Sequence, residues 1–459
     1  MNQDMSLRKY AVITSGMASF LTPFMSSAIN LAIPSIGTSF NSSAALLSWV
    51  ISIYLLTTAA LLLPFGRLAD IYGRKRVFAI GLLLFSFSSL LCGRAWSIQS
   101  LIVFRIFQGI GASMIYGTGM TILTSIYPSE ERGKVLGINV SCTYIGLSLG
   151  PTLGGMLNHH LGWQSVFYFN ALLGTITYLF TITKLKGEWV GAKDEKFDLL
   201  GAFLFSTGLI AALYGFSSIV TSFIAKYLLM FGVGLIAVFV RYELKTKYPI
   251  LNITLISKNV TFALSNLAAL INYCATFAVG FLLSLHLQVI VGFNSQKAGL
   301  IMLAQPIIMA LLSPFAGRLS DRVEPRVVAS VGMILTAMGL LFFSLIREDT
   351  PTWEIILALA VLGIGFAFFS SPNSSAVMGS VDKKFYGIAS STLGTMRLIG
   401  QTISIATATL IIDIYTGNNQ LSPAIKHLLE KSISVSFTVF AITCFLGVFA
   451  SLARGKINS

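Results

Sequence analysis

Hydrophobic residues run in long blocks along this chain, and the polar residues collect in short stretches between them. A helix that crosses a bilayer needs roughly 20 apolar residues for a hydrocarbon core about 30 Å thick. Fourteen blocks meet that need, near 11–33, 46–66, 76–93, 98–126, 134–157, 164–183, 198–220, 226–243, 260–286, 297–317, 326–346, 353–373, 386–413 and 433–452. Inside lipid a spanning segment must satisfy its own backbone, as a helix or within a closed barrel. Near-continuous apolar runs of this length predict helices, so the expected fold class is an all-α polytopic membrane protein with 14 transmembrane helices.

Composition agrees with the pattern. Only 10% of the 459 residues are charged, against about 25% in soluble domains, which excludes a soluble enzyme. The net charge of +14 is a property of the loops and points to no nucleic acid. If the blocks alternate direction, 23 of the 31 lysines and arginines fall on one side and six on the other. Positive residues favour the cytoplasmic side, so both termini are expected in the cytoplasm. Residues 1–10 are short and polar, and no cleavable leader is expected after them. Cys92, Cys142, Cys274 and Cys444 lie in apolar blocks without a CxxC spacing, so they read as packing residues, with no metal or cofactor expected. The 184–198 linker, with charges of both signs, reads as a solvated hinge.

The chain also repeats itself. Gly66-Arg67-Leu68-Ala69-Asp70 recurs as Gly317-Arg318-Leu319-Ser320-Asp321, 251 positions later. Gly109-Ile110-Gly111 resembles Gly363-Ile364-Gly365, and Gly137-Ile138 resembles Gly387-Ile388. Internal repeats are a common construction of secondary transporters, with the substrate site between the halves. Each half holds six helices, which predicts an N-terminal bundle over 1–185, a linker with two extra helices over 186–255, and a C-terminal bundle over 256–459. The two GRLxD loops, with Gly73 and Arg74 following the first, read as gating latches or as ordinary topology-setting charge.

These residues resemble the major facilitator superfamily, and within it the fourteen-helix drug:proton antiporters of multidrug efflux type. The loop Gly66–Arg76 is similar to the superfamily's loop between helices two and three. Arg105-Ile106-Phe107-Gln108-Gly109 is similar to its fourth-helix arginine motif, and Gly146 through Gly155 to the fifth-helix antiporter motif. Gly146, Gly150 and Gly154 share one helix face with Gly155 and the bend-promoting Pro151 beside them, which makes either a bendable seam or simple close packing. The resemblance implies a proton-coupled exporter in the plasma membrane, working by alternating access as a monomer. Its partners would be the lipid bilayer, a small-molecule substrate and protons.

The chain departs from that family where proton coupling is concerned. The first-helix acid position is Met25, while Asn30 and Pro34 of the same pattern remain. Only two cations, Arg105 and Arg397, fall well inside apolar blocks, and no aspartate or glutamate does. Buried charge in a membrane is costly and usually functional. Arg105 reads either as structural or as part of the transport path. Arg397 lies about 16 Å into its helix at 1.5 Å per residue, which is too deep to reach water past lipid. The other candidate cavity groups are Asn30, Tyr54, Tyr144, Asn272, Gln305, Asn373 and Gln401. Candidate proton acceptors are His286, Glu354 and Asp413. The expected function is export of amphipathic or hydrophobic small molecules. Two cations without a buried acid leave open an exporter or facilitator of anionic or zwitterionic metabolites, and a membrane receptor or scaffold is a further alternative.

Overall fold

The computed structural model describes residues 2–193, 195–219, 222–251, 253–320, 322–381, 386–417 and 426–454. Every regular element among them is helical. The first six crossings are α1 (Asn2–Phe40), α2 (Ala44–Tyr72), α3 (Arg74–Gly93), α4 (Ile98–Ile126), α5 (Ser129–Leu161) and α6 (Gln164–Lys184). The extra pair is α7 (Leu199–Ser217) and α8 (Ala225–Glu243), followed by a short α9 (Ile253–Lys258). The remaining crossings begin with α10 (Val260–Thr276), α11 (Val279–Leu285) and a π-helical turn His286–Ile290, which form one interrupted span. Then come α12 (Ser295–Met302) with α13 (Ala304–Ser320), α14 (Pro325–Phe343), α15 (Thr352–Gly379), α16 (Tyr386–Thr416) and α17 (Lys426–Leu452). Among the described residues, thirteen helical stretches are long and apolar enough to cross a membrane. α5, the more polar fourteenth, runs 33 residues along α1.

Local chemistry sets the ends. Ser43, Ser97, Asp198 and Asn259 each accept a backbone N–H from the first turn of α2, α4, α7 and α10. Gly73, at φ +120°, separates α2 from α3 in a conformation that an L side chain resists. Pro306 sits just after the break at Leu303, where its missing N–H interrupts the helical ladder.

Helices that run the same way pack side by side. Ser15 and Ser19 of α1 donate to the Asn139 Oδ1 of α5, and further along Asn158 of α5 donates to the Leu31 carbonyl of α1. The two helices therefore advance together. α2 and α4 do the same, from the Arg105–Val50 bond to the Gly117–Gly66 approach.

The sequence repeat reappears as repeated contacts. Gly81 of α3 packs on Gly111 of α4, and Gly332 of α14 packs on Gly365 of α15. Gly109 abuts the Tyr54 carbonyl, and Gly363 abuts the Gln305 carbonyl. The fold is thus two related six-helix bundles with two added helices. α7 lies along α2 and α16, with Ser206 donating to the Ala60 carbonyl, and α8 leans on α7. Only 17% of α8's apolar window is buried, against 78% for α2, so α8 faces lipid.

Candidate functional site

Midway along α16, Arg397 is half-buried and has no ion-pair partner among the described residues. Its guanidinium lies 4.9 Å from the centre of the Tyr273 ring on α10, and its Nε has no hydrogen-bond partner. Tyr116 of α4 and Tyr144 of α5 lie near enough to act electrostatically on the same charge. The cluster therefore draws rings from both halves of the repeat. Tyr144 and Ser370 of α15 share a hydroxyl–hydroxyl hydrogen bond of 2.8 Å across the halves. Tyr273 packs edge-on to Phe366. Gln401 and Gln305 are half-buried, and Asn272 is fully buried with neither amide atom hydrogen-bonded.

Arg105 is placed quite differently. It is 0% exposed. Nε donates to the Val50 carbonyl at 2.9 Å and Nη1 to the Gln108 Oε1 at 2.5 Å, and Gln108 in turn donates to Ser89. The guanidinium also stacks on Tyr54, 4.3 Å from the ring centre. This arginine ties α2, α3 and α4 together inside the first half. Met25, at the position of the missing acid, is buried and accepts a hydrogen bond from Asn170.

The α1–α5 seam is as tight as its glycines allow. A Cβ at Gly146 would lie 2.5 Å from the Phe20 carbonyl oxygen, and one at Gly150 would lie 2.5 Å from the Ser27 Cβ. Gly154 meets Ala28 in the same way. Toward the far end of α1 the seam passes to the other half. Gly155 faces the Ser295 carbonyl, and Gly299 abuts the carbonyl of Pro151. Ser284 donates to the Asn30 carbonyl, Gln288 to the Leu31 carbonyl and Ser295 to the Gly155 carbonyl. The two halves are thus closed on each other at the face opposite the N-terminus. His286 lies in the π-turn between Ser284 and Gln288, fully buried, with both ring nitrogens unpartnered. Glu354 stands in the first turn of α15 and Asp413 near the last turn of α16, neither beside Arg397.

On the N-terminal face, the linker expected as a solvated hinge is a docked strap. Its backbone carries the contact: Gly191 and Ala192 donate to the Asp70 carbonyl at 2.9 Å, and Arg74 donates to the Trp189 carbonyl. The Glu188 carboxylate accepts from the Lys75 N–H, and Glu195 pairs with Arg67. Asp70 and Arg74 pair within the loop, and Arg74 also reaches Ser125. The burial of Leu185 and Ala192 explains why the strap stays put. Sequence reading missed it because the partners are 128 residues apart and mixed charge is ordinary for a loop. In the second repeat, Gly317 approaches Ser371 and Arg318 is exposed, while Asp321 lies outside the described residues. So do Lys383, Lys384, Lys456, Asn418, Asn419 and Pro423 of the loops.

Arg454, counted from sequence as a loop charge, is buried at 1% exposure. It donates to the Asn373 Oδ1 at 2.6 Å and to Ser451. Burial pulls its guanidinium down to about 10, which leaves it cationic at neutral pH. Asn373 is thereby committed to the chain's C-terminal end rather than to Arg397.

The sequence profile of the Major Facilitator Superfamily matches residues 16–244 and 266–456. The riboflavin transporter RibZ of Clostridioides difficile is 28% identical over 436 residues, 94% of each chain. The multidrug resistance protein Stp of Mycobacterium tuberculosis is 29% identical over 92% of this chain and 78% of its own. The methylenomycin A resistance protein of Bacillus subtilis is 28% identical over 84% of each. Among solved structures, an inward-facing bacterial homologue of the human lysosomal transporter Spinster superposes with a TM-score of 0.71, at 15% identity, over 98% of this chain and 97% of its own. The xylose transporter XylE of E. coli gives 0.66 at 12% identity, over 98% of this chain and 97% of its own. Duplicated helical halves, a glycine seam and a profile match along nearly the whole length agree, and the chain belongs to the Major Facilitator Superfamily as a multi-pass membrane transporter and not an enzyme.

Proposed function

We propose that this transporter is a secondary exporter of amphipathic small molecules that works by alternating access. The supporting observation is the closed far seam, where Asn30, Gly155 and Pro151 meet Ser284, Ser295 and Gly299, placed beyond the unpaired Arg397. A site at mid-depth, shut on one side, is what a rocking pair of bundles requires. The excess of loop cations on the N-terminal face favours a cytoplasmic location for both termini, in a plasma membrane. Substrate then enters from the cytoplasm and leaves when the far seam opens. The relatives named for drug and antibiotic resistance support export.

Proton antiport is the proposed driver, with the coupling group drawn from His286, Glu354 and Asp413, since the first helix carries Met25 where an acid would serve. Proteoliposomes test this directly. An imposed pH gradient is expected to accelerate movement of a lipophilic drug, and replacing the coupling group to abolish that acceleration while leaving exchange intact. Transport that ignores both pH and membrane potential would overturn the antiport mechanism.

A second reading is supported by the likeness to RibZ along 94% of both chains: riboflavin itself as a substrate. Counterflow of labelled riboflavin in the same vesicles separates the two, because a drug exporter without flavin specificity shows no saturable riboflavin exchange.

A further inference from the structure

Arg397 is a permanent cation held in a membrane interior without a counter-ion among the described residues. A buried guanidinium seeks carbonyl or amide acceptors, and Arg105 finds them for Nε in the Val50 carbonyl and for Nη1 in Gln108. Around Arg397 the neighbours are instead tyrosines, one of which offers its ring face to the guanidinium. Tyr273 lies under the guanidinium, and Tyr116 and Tyr144 stand near it from the other half of the repeat. Tyr144 is already oriented by its bond to Ser370, and Tyr273 by its edge contact with Phe366. Two of the three rings are therefore set in place, while the charge beside them lacks, among the described residues, the one partner that suits it best, a carboxylate taken bidentately by the planar fork.

We propose that Arg397, Tyr116, Tyr144 and Tyr273 form a specificity box for planar aromatic anions. The inference rests on the transport reading and names the substrate class of that same site. A flat ring system satisfies the tyrosine faces by offset stacking, and its carboxylate or comparable anionic edge meets the guanidinium. An aliphatic anion fills only the charge requirement. An aromatic cation fills only the ring requirement and meets like charge at low dielectric. Because the rings come from α4 and α5 on one side and α10 on the other, such a ligand touches both halves at once.

The test is equilibrium dialysis against the full chain in lipid nanodiscs, with empty nanodiscs as the blank. Four probes of matched size are used: 2-naphthoate, 2-naphthamide, decahydro-2-naphthoate and 2-naphthylmethylammonium. Naphthoate is expected to bind about tenfold or more tighter than each of the others, since a desolvated charge pair and a stacked ring are each worth on the order of a factor of ten. Arg397→Gln should bring naphthoate down to the level of naphthamide and leave naphthamide unchanged. Tyr273→Leu should weaken naphthoate and naphthamide together, and Tyr273→Phe should restore both, which separates a ring face from a merely structural role. Unaltered melting temperatures serve as the folding control, and Tyr116→Phe is the milder second variant. Naphthoate bound no better than decahydronaphthoate, tighter binding of the ammonium, or no binding of any probe would each overturn the box. The expected binding pattern in a protein that carries no substrate across a vesicle membrane would leave the box standing and remove the transport reading. Flux of drugs without naphthoate preference would do the reverse.

Discussion

The two halves of the repeat share a helix-packing scheme but treat their charges in opposite ways. In the first half the intramembrane arginine, Arg105, is sealed among Val50, Gln108 and Tyr54. The GRLAD loop of that half is likewise covered, by a strap that pairs Glu195 with Arg67 and caps Asp70 with two backbone donors. In the second half Arg397 is half-buried with its Nε unpartnered and no ion pair among the described residues, and Arg318 of the matching loop is exposed. Duplication thus supplied one geometry twice, and the polar side chains have since divided the labour. The first half binds its membrane arginine and its loop into hydrogen-bonded contacts, whereas Arg397 and Arg318 of the second are left more open and Arg454, near the end of its last helix, is enclosed.

The sharpest way to break that comparison is at the seam. Gly150→Leu must push α1 from α5, and transport in proteoliposomes is expected to fall by more than about tenfold with insertion intact, since the cost of overpacking is roughly 1–3 kcal/mol or more. Gly137, on the same helix with nothing within 4 Å of its Cβ position, is the control, and Gly137→Leu should transport normally. Equal losses at both sites would mean that helix propensity or expression matters, not the seam.

The two arginines should separate by readout. Arg105→Leu orphans Val50 and Gln108 partners and is expected to cost about 2–3 kcal/mol of stability, seen as a lower melting temperature in detergent. Arg397→Gln is expected to leave the melting temperature nearly unchanged while altering ligand preference. If both variants lower stability alike, the framework-versus-site distinction fails.

The strap gives the next contrast. Arg67→Ala and Glu195→Gln should each slow transport a few-fold and speed tryptic cleavage at Lys193 and Lys196, because a partly exposed ion pair is worth about 1 kcal/mol or less. Arg318→Ala should change neither. Protection of the linker that survives loss of Arg67 would assign the hold to the remaining contacts of Trp189, Glu188, Gly191 and Ala192. An effect of similar size is expected at Ser284→Ala. Losing one inter-half hydrogen bond of about 1 kcal/mol should shift the population with a closed far seam by roughly fivefold, measurable as faster labelling of an outer-end cysteine probe.

How much of this was legible in the sequence depends on the range over which the information is written. Helix positions and the repeat could be read because apolar length and glycine spacing are local, and the 251-residue offset of the GRLxD loops returns between Tyr54 and Gln305 as contacts of Gly109 and Gly363. The place of Arg397 inside a long apolar run was legible for the same reason. The sealing of Arg105 was not, because Val50 and Ser89 sit on other helices. Arg454 looked like a loop charge because it follows the last apolar run by only a few residues, and its burial depends on Asn373 and Ser451 arriving at the same place. The π-turn at His286 has no local signature of composition, being an adjustment of hydrogen-bond register where the far seam closes.

The parallel pairing of α1 with α5 has a consequence for how the protein is made. Ser15, Ser19 and Ser27 of the first helix find partners on a helix 120 or more residues later in the chain. When the first crossing leaves the ribosome, those hydroxyls and the small-residue face beside them have no helix to meet. The natural neighbours in order of synthesis, α2 and α3, do not cover that face. Insertion and assembly are therefore separate events for this chain: the first helix enters the membrane early, and its permanent place is settled only after the fifth has been translated. A ribosome-bound chain halted before residue 129 should accordingly leave α1 open to crosslinking by lipid or an insertion factor, and one halted after α6 should protect it.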